Sequence, residues 1–409
     1  MLRQEENELL TRVGPGTPMG ELIRRYWVPA LLSEEIGEPD SAPVRVKILG
    51  ERLVAFRDTE GRVGLLDEFC PHRRTSLVYG RNEESGLRCI YHGWKFDVDG
   101  NIVETPCEPP ESTFRYRLSI RAYPIREMGG VIWSYLGPPE KMPPFRVFEW
   151  MTLPDNNCHA VKIWEEANYL QALEGGVDSS HLSWLHRIFK GAGEMSLSAF
   201  DGAPRLEIEE TPYGYRYAAI RKTANPAERF VRITPFILPF HTIVPFAKDQ
   251  PRNFHAWVPI DDENVWVYFM HYGRNHEIDP VAHKEPYELD AEYRRRRTLR
   301  NQHLQDREMM RTTNFSGIPH IPTQDHAVQE AMGPIVDRSL EHLGSSDTSV
   351  IHLRQLLLRV VGDLMEGKDP PGLNEPIPWE LIDSESIVVP ADMPWQQLGA
   401  LPQNATVAG

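Results

Sequence analysis

Residues 70–94 read CPHRRTSLVYGRNEESGLRCIYHGW. It contains Cys70 and His72 as C-x-H, then sixteen residues, then Cys89 and His92 as C-x-x-H. Two thiolates and two imidazoles at this spacing, on two loops of one small domain, are typical of a four-ligand metal site. We therefore predict a metal centre held by these four side chains.

A structural zinc site is the first alternative, because zinc also binds two cysteines and two histidines. The ligand order argues against zinc, since each loop supplies one Cys and one His, whereas zinc fingers pair Cys with Cys and His with His. The mixed order favours a [2Fe–2S] cluster in which one iron takes both cysteines and the other takes both histidines, a set suited to electron transfer. Pro71, Gly93 and Trp94 are predicted to shield the cluster, and Cys107 and Cys158 to be ordinary thiols.

The 409 residues around this stretch exceed one ordinary domain, so we expect two. Hydrophobic and charged fractions of 41% and 25% are those of a soluble globular protein, and no apolar run is long enough to span a membrane. The acidic start carries no apolar signal core, so a cytoplasmic location is expected. A net charge of -15 argues against nucleic acid as a partner.

Residues 43–137 are predicted to form a small antiparallel β domain. Its strand-like runs, separated by turn sequences, are Val44–Ile48, Leu53–Arg57, Val63–Asp67 and Val131–Tyr135. The segment GPPEKMPPF, residues 137–145, is rich in Pro and Gly and predicts a domain boundary. We assign residues 1–25 to an N-terminal segment and residues 26–140 to this domain.

Residues 141–370 are assigned to a larger domain, and residues 371–409 to a Pro-rich surface tail. The larger domain is predicted to have strands between Arg205 and His271, with a hairpin at residues 260–265, and helices over Trp164–Phe189, Pro286–Met310 and Ser349–Met365. The basic run 294–297 is expected on a solvated or salt-bridged helix face. This order predicts an α+β fold in which a pocket lies between the helices and a curved antiparallel sheet.

A second constellation lies in residues 174–186, EGGVDSSHLSWLH. Asp178 and His181 would share a helix face, but His186 is rotated by about 140° from His181, so both rings reach one metal only if the helix loosens. Two histidines and one carboxylate form the facial triad of non-haem iron sites. The carboxylate is either Asp178, by spacing, or the distant Asp325 in TQDHAVQEAM. A simple hydrogen-bonded Asp–His pair is the alternative.

The segments CPHRR, RCIYHGWKFDVDG and LEGGVDSSHLSWLH together resemble the Rieske non-haem iron oxygenases, and within them the group of phthalate and phenoxybenzoate dioxygenases. QDHAVQEAMGPIVDRS supports the resemblance near the C-terminus. The resemblance implies an N-terminal antiparallel β Rieske [2Fe–2S] domain and a C-terminal helix-grip catalytic domain. It assigns His181, His186 and Asp325 to a mononuclear Fe(II).

By the same resemblance, Asp178 connects the cluster ligand His92 of one subunit to the iron ligand His181 of the next. In the family this link joins two subunits, because the two metals of one chain are too far apart. A head-to-tail ring is then required, and a trimer is the expected closure. Glu174 stands where some relatives carry Asn, and we expect it to belong to a buried network rather than to bind metal.

Members of this family receive electrons from a separate NAD(P)H-dependent reductase and use O2 to oxidise an aromatic substrate, here expected to be an aromatic carboxylate. A separate reductase is expected because GPGTPMG, residues 14–20, lacks the preceding strand and the spacing of a dinucleotide-binding loop. We favour cis-dihydroxylation. Monooxygenation or O-demethylation is the alternative, and a Rieske electron-transfer protein without oxygenase activity is a further one.

A carboxylate substrate requires a cationic anchor in an otherwise apolar pocket. The arginines on or beside the predicted catalytic sheet are Arg205, Arg221, Arg229 and Arg232. We select Arg232, because it alternates with Phe230 and Thr234 on one strand face. The alternative is that this arginine faces water.

Overall fold

The computed structural model describes residues 2–190, 194–247, 250–399 and 401. The chain divides into two compact units, one of residues 23–143 and one of residues 1–22 together with 144–409. The chain passes from the smaller to the larger unit after residue 143, within the segment 137–145 that the sequence indicates as a domain boundary. In the part of the chain that is described, no helix is both long and apolar enough to cross a membrane.

The smaller unit is built from short antiparallel strands. They are β1 (Trp27–Leu32), β2 (Val44–Ile48), β3 (Glu51–Arg57), β4 (Val63–Asp67), β5 (Arg81–Glu83), β6 (Gly86–Arg88), β7 (Lys95–Phe96), β8 (Ile102–Glu104), β9 (Ile125–Met128) and β10 (Val131–Tyr135). Three sheets result, in the orders β1, β10, β9; β2, β3, β4; and β5, β6, β7, β8. The four strands predicted from alternation are confirmed.

The core of this unit lies directly beneath the two cysteine loops. Val54 and Phe56, alternate residues of β3, point into it and are fully buried, as strand periodicity requires. Cys70, Cys89 and Trp94 belong to the same buried cluster. The two cysteine loops are therefore seated on the core rather than extended into solvent.

The remaining helices and strands follow in chain order. They are α1 (Gln4–Thr11), α2 (Pro18–Arg24), β11 (Cys158–Glu165), α3 (Tyr169–Gly176), α4 (Glu194–Phe200), β12 (Arg205–Thr211), β13 (Gly214–Lys222), β14 (Glu228–Ile237), β15 (His241–Val244), β16 (Arg252–Pro259), β17 (Val265–Tyr272), α5 (Pro280–Lys284), α6 (Arg307–Thr312), α7 (Ile321–Ala331), α8 (Thr348–Met365) and β18 (Glu385–Pro390).

One antiparallel sheet organises the larger unit, in the order β11, β17, β16, β15, β14, β13, β12, with β18 also paired to β14. The β16–β17 hairpin is confirmed, and the N–H of Ile260 donates to the carbonyl of Asn264 across its turn at 2.9 Å. Helix α8 is also confirmed. Its buried Val350, Leu353 and Leu357 recur at three- and four-residue spacing, as an amphipathic helix requires. The α+β class is thus observed.

Two predicted helices are wrong. Trp164 belongs to β11, where it pairs with Trp266 of β17, so the helix predicted over 164–189 is only α3 followed by irregular backbone. The helix predicted over 286–310 is interrupted by left-handed φ values at Glu288, Gln302 and His303. Long-range strand pairing and left-handed backbone override the local apolar pattern in these two places.

The basic run, residues 294–297, lies within the segment 286–310 and is only partly a salt-bridged surface. Arg297 pairs with Glu288 at 2.5 Å. Arg295, however, is buried, and its Nη1 donates to Thr323 Oγ1 of α7 at 2.8 Å. The run therefore anchors the helix that carries Asp325.

Within the described residues, neither of the two terminal regions expected from the sequence is separate from the larger unit. We expected from sequence a separate segment 1–25, but residues 1–22 belong to the larger unit, where Asn7 Nδ2 donates to the carbonyl of Val336 at 3.0 Å and Tyr169 Oη donates to that of Leu10 at 2.9 Å. The expected surface tail contains β18, which extends the sheet, and the buried Trp395.

Candidate metal centres and active site

The two cysteine loops of the smaller unit have matching backbone hydrogen bonds. In the first, the N–H of Cys70 donates to the carbonyl of Thr75 at 2.9 Å; in the second, that of Cys89 donates to the carbonyl of Trp94 at 2.8 Å. Each cysteine therefore begins a six-residue turn that is closed by a backbone hydrogen bond. Two equivalent turns face each other, which is the arrangement that a shared metal centre requires.

The fourth residue after each cysteine has a positive φ, 61° at Arg74 and 74° at Gly93. Their N–H groups donate back to the carbonyls of Cys70 and Cys89 at 2.9 and 3.0 Å. A Cβ at Gly93 would lie 2.6 Å from Pro106 Cγ, so the second loop requires glycine for space as well as for conformation. Backbone geometry explains the glycine in H-G-W.

The side chains of these loops are arranged with sulfur inside and imidazole outside. Cys70 and Cys89 are buried, and a hydrogen bond from the Cys70 thiol lowers the pKa of Cys89 below its usual value. The rings of His72 and His92 lie 4.5 Å apart, and Trp94 stacks on His72 at 4.7 Å with planes 4° apart. Two adjacent thiols and two adjacent imidazoles fit a [2Fe–2S] cluster in which the cysteines hold one iron and the histidines hold the other.

In the larger unit, three donor atoms converge. His181 Nε2 and His186 Nε2 are 3.2 Å apart, and Asp325 Oδ1 lies 3.1 Å from the second and 3.6 Å from the first. Among the described residues, this is the one group of three or more His, Cys, Asp or Glu side chains whose ligand atoms all lie within 4.8 Å of one another. Two imidazoles and a carboxylate fit a facial triad.

The other nitrogen of each imidazole is occupied by a second residue. His181 Nδ1 lies 3.2 Å from Asp178 Oδ2, so Asp178 is on the opposite side of the ring from the converging atoms. His186 Nδ1 lies 2.7 Å from Gln324 Oε1. When Nδ1 carries the proton, Nε2 is left as the lone-pair donor to a metal. Asp325 rather than Asp178 therefore completes the donor set.

Electrostatics hold both carboxylates ionised. Burial alone would lower the pKa of His181, but the Asp178 and Asp325 carboxylates outweigh it and raise that pKa. Burial alone would raise the pKa of Asp178 and of Asp325, yet the hydrogen bond from His181 and the nearby His186 keep both pKa values below the usual range. Ionised carboxylates accept the strongest hydrogen bonds and bind cations.

Irregular backbone after α3 brings these side chains together. Asp178 Oδ1 accepts a hydrogen bond from the N–H of Ser180 at 2.7 Å, and residues 181–183 form only a short 3-10 turn. The expected loosening between His181 and His186 is confirmed. Helix α3 ends at Gly176, where a Cβ would collide with the Trp257 ring of β16, so this glycine lets the helix end lie close to the sheet.

Gln324 is a residue that sequence reasoning missed. Its Nε2 donates to the carbonyl of Ile318 at 2.8 Å, which turns Oε1 toward His186. The sequence feature that could have identified Gln324 is its position directly before Asp325, on the same helix α7. A side-chain acceptor beside a predicted ligand is a candidate for orienting a second one.

We expect Gln324→Leu to weaken iron binding by about 10- to 100-fold, because His186 loses the acceptor that orients its ring. Iron retention against a chelator measures the effect. The same substitution at the exposed Gln355 of α8 is the matched control and should change nothing. Equal iron retention in the two variants would show that Gln324 does not orient His186.

Glu174 lies in a buried ion-pair network, as expected. Its carboxylate accepts from Arg338 Nη2 at 2.9 Å and from Arg354 Nε at 2.6 Å, and Arg338 also donates to Asn7 Oδ1 at 2.9 Å. The two guanidinium groups compensate the buried charge and hold α8 and the N-terminal helix against α3.

The converging donors lie in the wall of a cavity of about 510 Å³, a usual size for a small-molecule site. Its apolar lining includes Val244, Phe246, Trp257, Val267 and Phe269. Its polar lining includes Asp178, His181, His186, Tyr217, Arg232, Thr234 and Asp325. The cavity can therefore enclose an apolar ring close to the donor atoms.

Of the four arginines considered from sequence, Arg232 is the one among the described lining residues of this cavity. Arg205 is exposed and pairs with Glu207, and Arg221 donates to the carbonyl of Ser179 at 2.5 Å. Arg229 donates to the carbonyl of Met393. Arg232 and Thr234 of β14 line the cavity, and Phe230, two residues before Arg232 on the same strand, is buried but is not among the described lining residues.

Comparison with known proteins matches both parts of the chain. A family model described as Rieske [2Fe-2S] domain matches residues 26–124, and one described as LigXa C-terminal domain like matches residues 134–408. The phthalate 4,5-dioxygenase oxygenase subunit of Pseudomonas putida is 41% identical over 98% of this chain and 95% of its own. The chain belongs to the Rieske non-haem iron oxygenases.

Two further matches agree. The 3-chlorobenzoate-3,4-dioxygenase oxygenase subunit of Comamonas testosteroni is 36% identical to this oxygenase, over 97% of each chain. The structure of the NdmA QL mutant of Pseudomonas putida CBB5 with caffeine aligns with a TM-score of 0.62 at 19% identity, covering 86% of this chain and 94% of that one, and supports the fold.

The predicted family, fold and cofactors are thereby confirmed. This Rieske oxygenase has an N-terminal [2Fe–2S] domain and a C-terminal catalytic domain, and its cofactors are the cluster and a mononuclear iron. Both donor sets described above have the chemistry that these groups require. The enzyme is the terminal oxygenase component of its reaction.

Proposed function

We propose that this oxygenase oxidises an aromatic carboxylate at the site in the larger unit. The proposed cluster ligands are Cys70, His72, Cys89 and His92, and the proposed ligands of the mononuclear iron are His181, His186 and Asp325. When bound, the iron supplies the redox chemistry of O2 activation and the cluster supplies electrons. The observation that carries the proposal is one cavity whose wall contains these three converging donors and Arg232.

Arg232 is the proposed anchor of the substrate carboxylate. It is 5% exposed, and apolar side chains such as Trp257 and Phe269 line the same cavity. A guanidinium binds a carboxylate through two parallel, charge-assisted hydrogen bonds, which also orient the ring. The similarity to oxygenase subunits for phthalate and 3-chlorobenzoate, both aromatic carboxylates, supports this substrate class.

Asp178 is proposed to have two tasks. It accepts the Nδ1 hydrogen of His181 and so keeps Nε2 available. We also propose that it links His181 to the partner subunit's His92 in a head-to-tail ring, most simply a trimer. A carboxylate between two imidazoles orients both rings and couples them electrostatically.

The remaining parts of the proposal concern reaction and partners. A separate NAD(P)H-dependent reductase is the proposed electron source, and cis-dihydroxylation is the proposed outcome, with monooxygenation or O-demethylation as the alternative. The cytoplasmic location expected from the sequence stays a prediction.

The test is turnover of a panel of aromatic acids with a surrogate reductase and isotopically labelled O2. Two labelled oxygen atoms in a dihydrodiol support the proposal, and one labelled atom indicates the monooxygenase alternative. Oxidation of neutral aromatics with no oxidation of the acids would contradict the proposed substrate class.

Arg232→Ala is expected to weaken the binding of benzoate-type acids by about 10- to 100-fold, because a charged hydrogen-bond pair contributes about 1.5–3 kcal/mol. Calorimetric titration of the iron-loaded protein measures this. Neutral esters of the same acids should bind equally to both proteins. Arg205→Ala, an exposed position on the same sheet, is the control. Unchanged acid affinity in Arg232→Ala would remove this anchor.

A further inference from the structure

A second cavity, of about 540 Å³, adjoins the one that contains the metal donors. The two cavities share wall residues, among them His255, Phe269 and Asp325. The proposed metal ligand Asp325 borders both, so the second cavity begins beside the proposed metal site. The second cavity is otherwise formed by β16, β17, the segment leading into α5, Tyr287 and the start of α7.

The junction between the cavities is aromatic. Phe269 stacks with Tyr287 at a centroid distance of 5.3 Å and an interplanar angle of 28°, and His255 meets Phe269 edge to face at 4.5 Å. His255 Nε2 is inaccessible and has no hydrogen-bond partner within the described ranges of the chain. Flat rings that line a passage favour a flat ring as the guest.

The two cavities differ in charge. The first contains Arg232 together with Asp178 and Asp325, whereas the second contains Asp325 and the exposed Glu277 and Asp279 and no arginine or lysine among its described lining residues. Both acids also have structural contacts: Glu277 accepts from Asn156 at 2.8 Å, and Asp279 caps α5. These acids disfavour a second carboxylate in this cavity, and its aromatic lining favours an apolar group.

The volumes of the two cavities are also compatible with a substrate that has two parts. Each cavity alone falls within the usual range for a small ligand, about 300–1,000 Å³. A one-ring acid anchored on Arg232 would occupy the first cavity alone. A longer substrate would use both.

We propose that the two cavities form one bipartite site for an aromatic acid with two linked rings. The carboxylated ring lies in the first cavity on Arg232, which rests on the proposed function, and the uncharged second ring passes His255 and Phe269 into the second. The second cavity is thus a specificity site for a neutral aryl substituent.

Benzoate and biphenyl-3-carboxylate, titrated without O2 into the iron-loaded protein, provide the test. The biaryl acid should bind at least about ten times more tightly, because burying a second ring removes its apolar surface from water. Ala282→Trp fills the second cavity from α5 at an exposed position and should abolish this preference while leaving benzoate affinity within about twofold.

Val281→Trp is the matched control, since Val281 is the neighbouring residue of α5, is 75% exposed and does not line either cavity among the described residues. It should retain the preference. Equal binding of the two acids by the unmodified protein, or a preference that survives Ala282→Trp, would overturn the bipartite site and identify the second cavity as a solvent channel.

The results that would overturn the bipartite site can be distinguished from those that would overturn the proposed function. Benzoate binding that depends on Arg232, without any gain from the second ring, overturns the bipartite site alone. Benzoate binding that is absent or independent of Arg232 overturns the carboxylate anchor and, with it, the bipartite site as stated.

Discussion

Asp325→Ala is expected to remove the mononuclear iron and with it all turnover, while the cluster and its brown colour remain. The carboxylate is one of three converging donors, and the two imidazoles left behind are too few for a facial triad. Iron per chain should fall from about three to about two, because the cluster holds two irons. Metal analysis and the cluster absorbance measure both sites in one sample.

Val328→Ala, at an exposed position of the same helix, should retain about three irons and normal turnover. Turnover by Asp325→Ala with full iron content would show that another carboxylate is the ligand. Only about two irons in the unmodified protein would instead favour an electron-transfer protein, and the oxygenase assignment of the site residues would have to be withdrawn.

Asp178→Asn is expected to lower turnover by at least about 100-fold while both metals stay bound in iron-reconstituted protein. The amide replaces a charged acceptor of His181 Nδ1–H by a neutral one and removes the proposed link to the partner subunit's His92. The decisive measurement is single-turnover oxidation of the prereduced cluster, which should become slow even when substrate is present.

Asp155→Asn is the control, since it makes the same chemical change at an exposed turn. Normal cluster oxidation in Asp178→Asn would disprove the link. A loss of iron without a change in cluster oxidation would leave Asp178 only as the residue that orients His181.

Much of the smaller unit was predictable because its signals are local. The strands Val44–Ile48 and Val63–Asp67 show their alternation within a few residues, and short turns separate them. In the larger unit, α8 was equally clear. The helix predicted through Trp164 failed because that residue lies in the edge strand β11 and pairs with Trp266 of β17, about a hundred positions away.

The two metal sites also differ in how local their sequence signals are. All four proposed cluster ligands lie within residues 70–92, on two turns whose hydrogen bonds repeat each other. The mononuclear site combines residues 178–186 with α7, so the residues alone left Asp178 and Asp325 as alternatives. Only the three-dimensional geometry distinguishes the two candidates, because Asp178 lies beside Nδ1 of His181 and Asp325 lies beside Nε2.

The sequence by itself determined the [2Fe–2S] ligand motif, the histidine pair and the α+β class, because short contiguous motifs and local periodicity carry that information. Three features are visible only in the folded chain: Gln324 Oε1 lies beside His186 Nδ1, Arg232 rather than Arg221 lines the cavity, and a second cavity adjoins the first. These features depend on which surfaces of distant strands and helices meet, and long-range packing rather than local pattern sets those contacts.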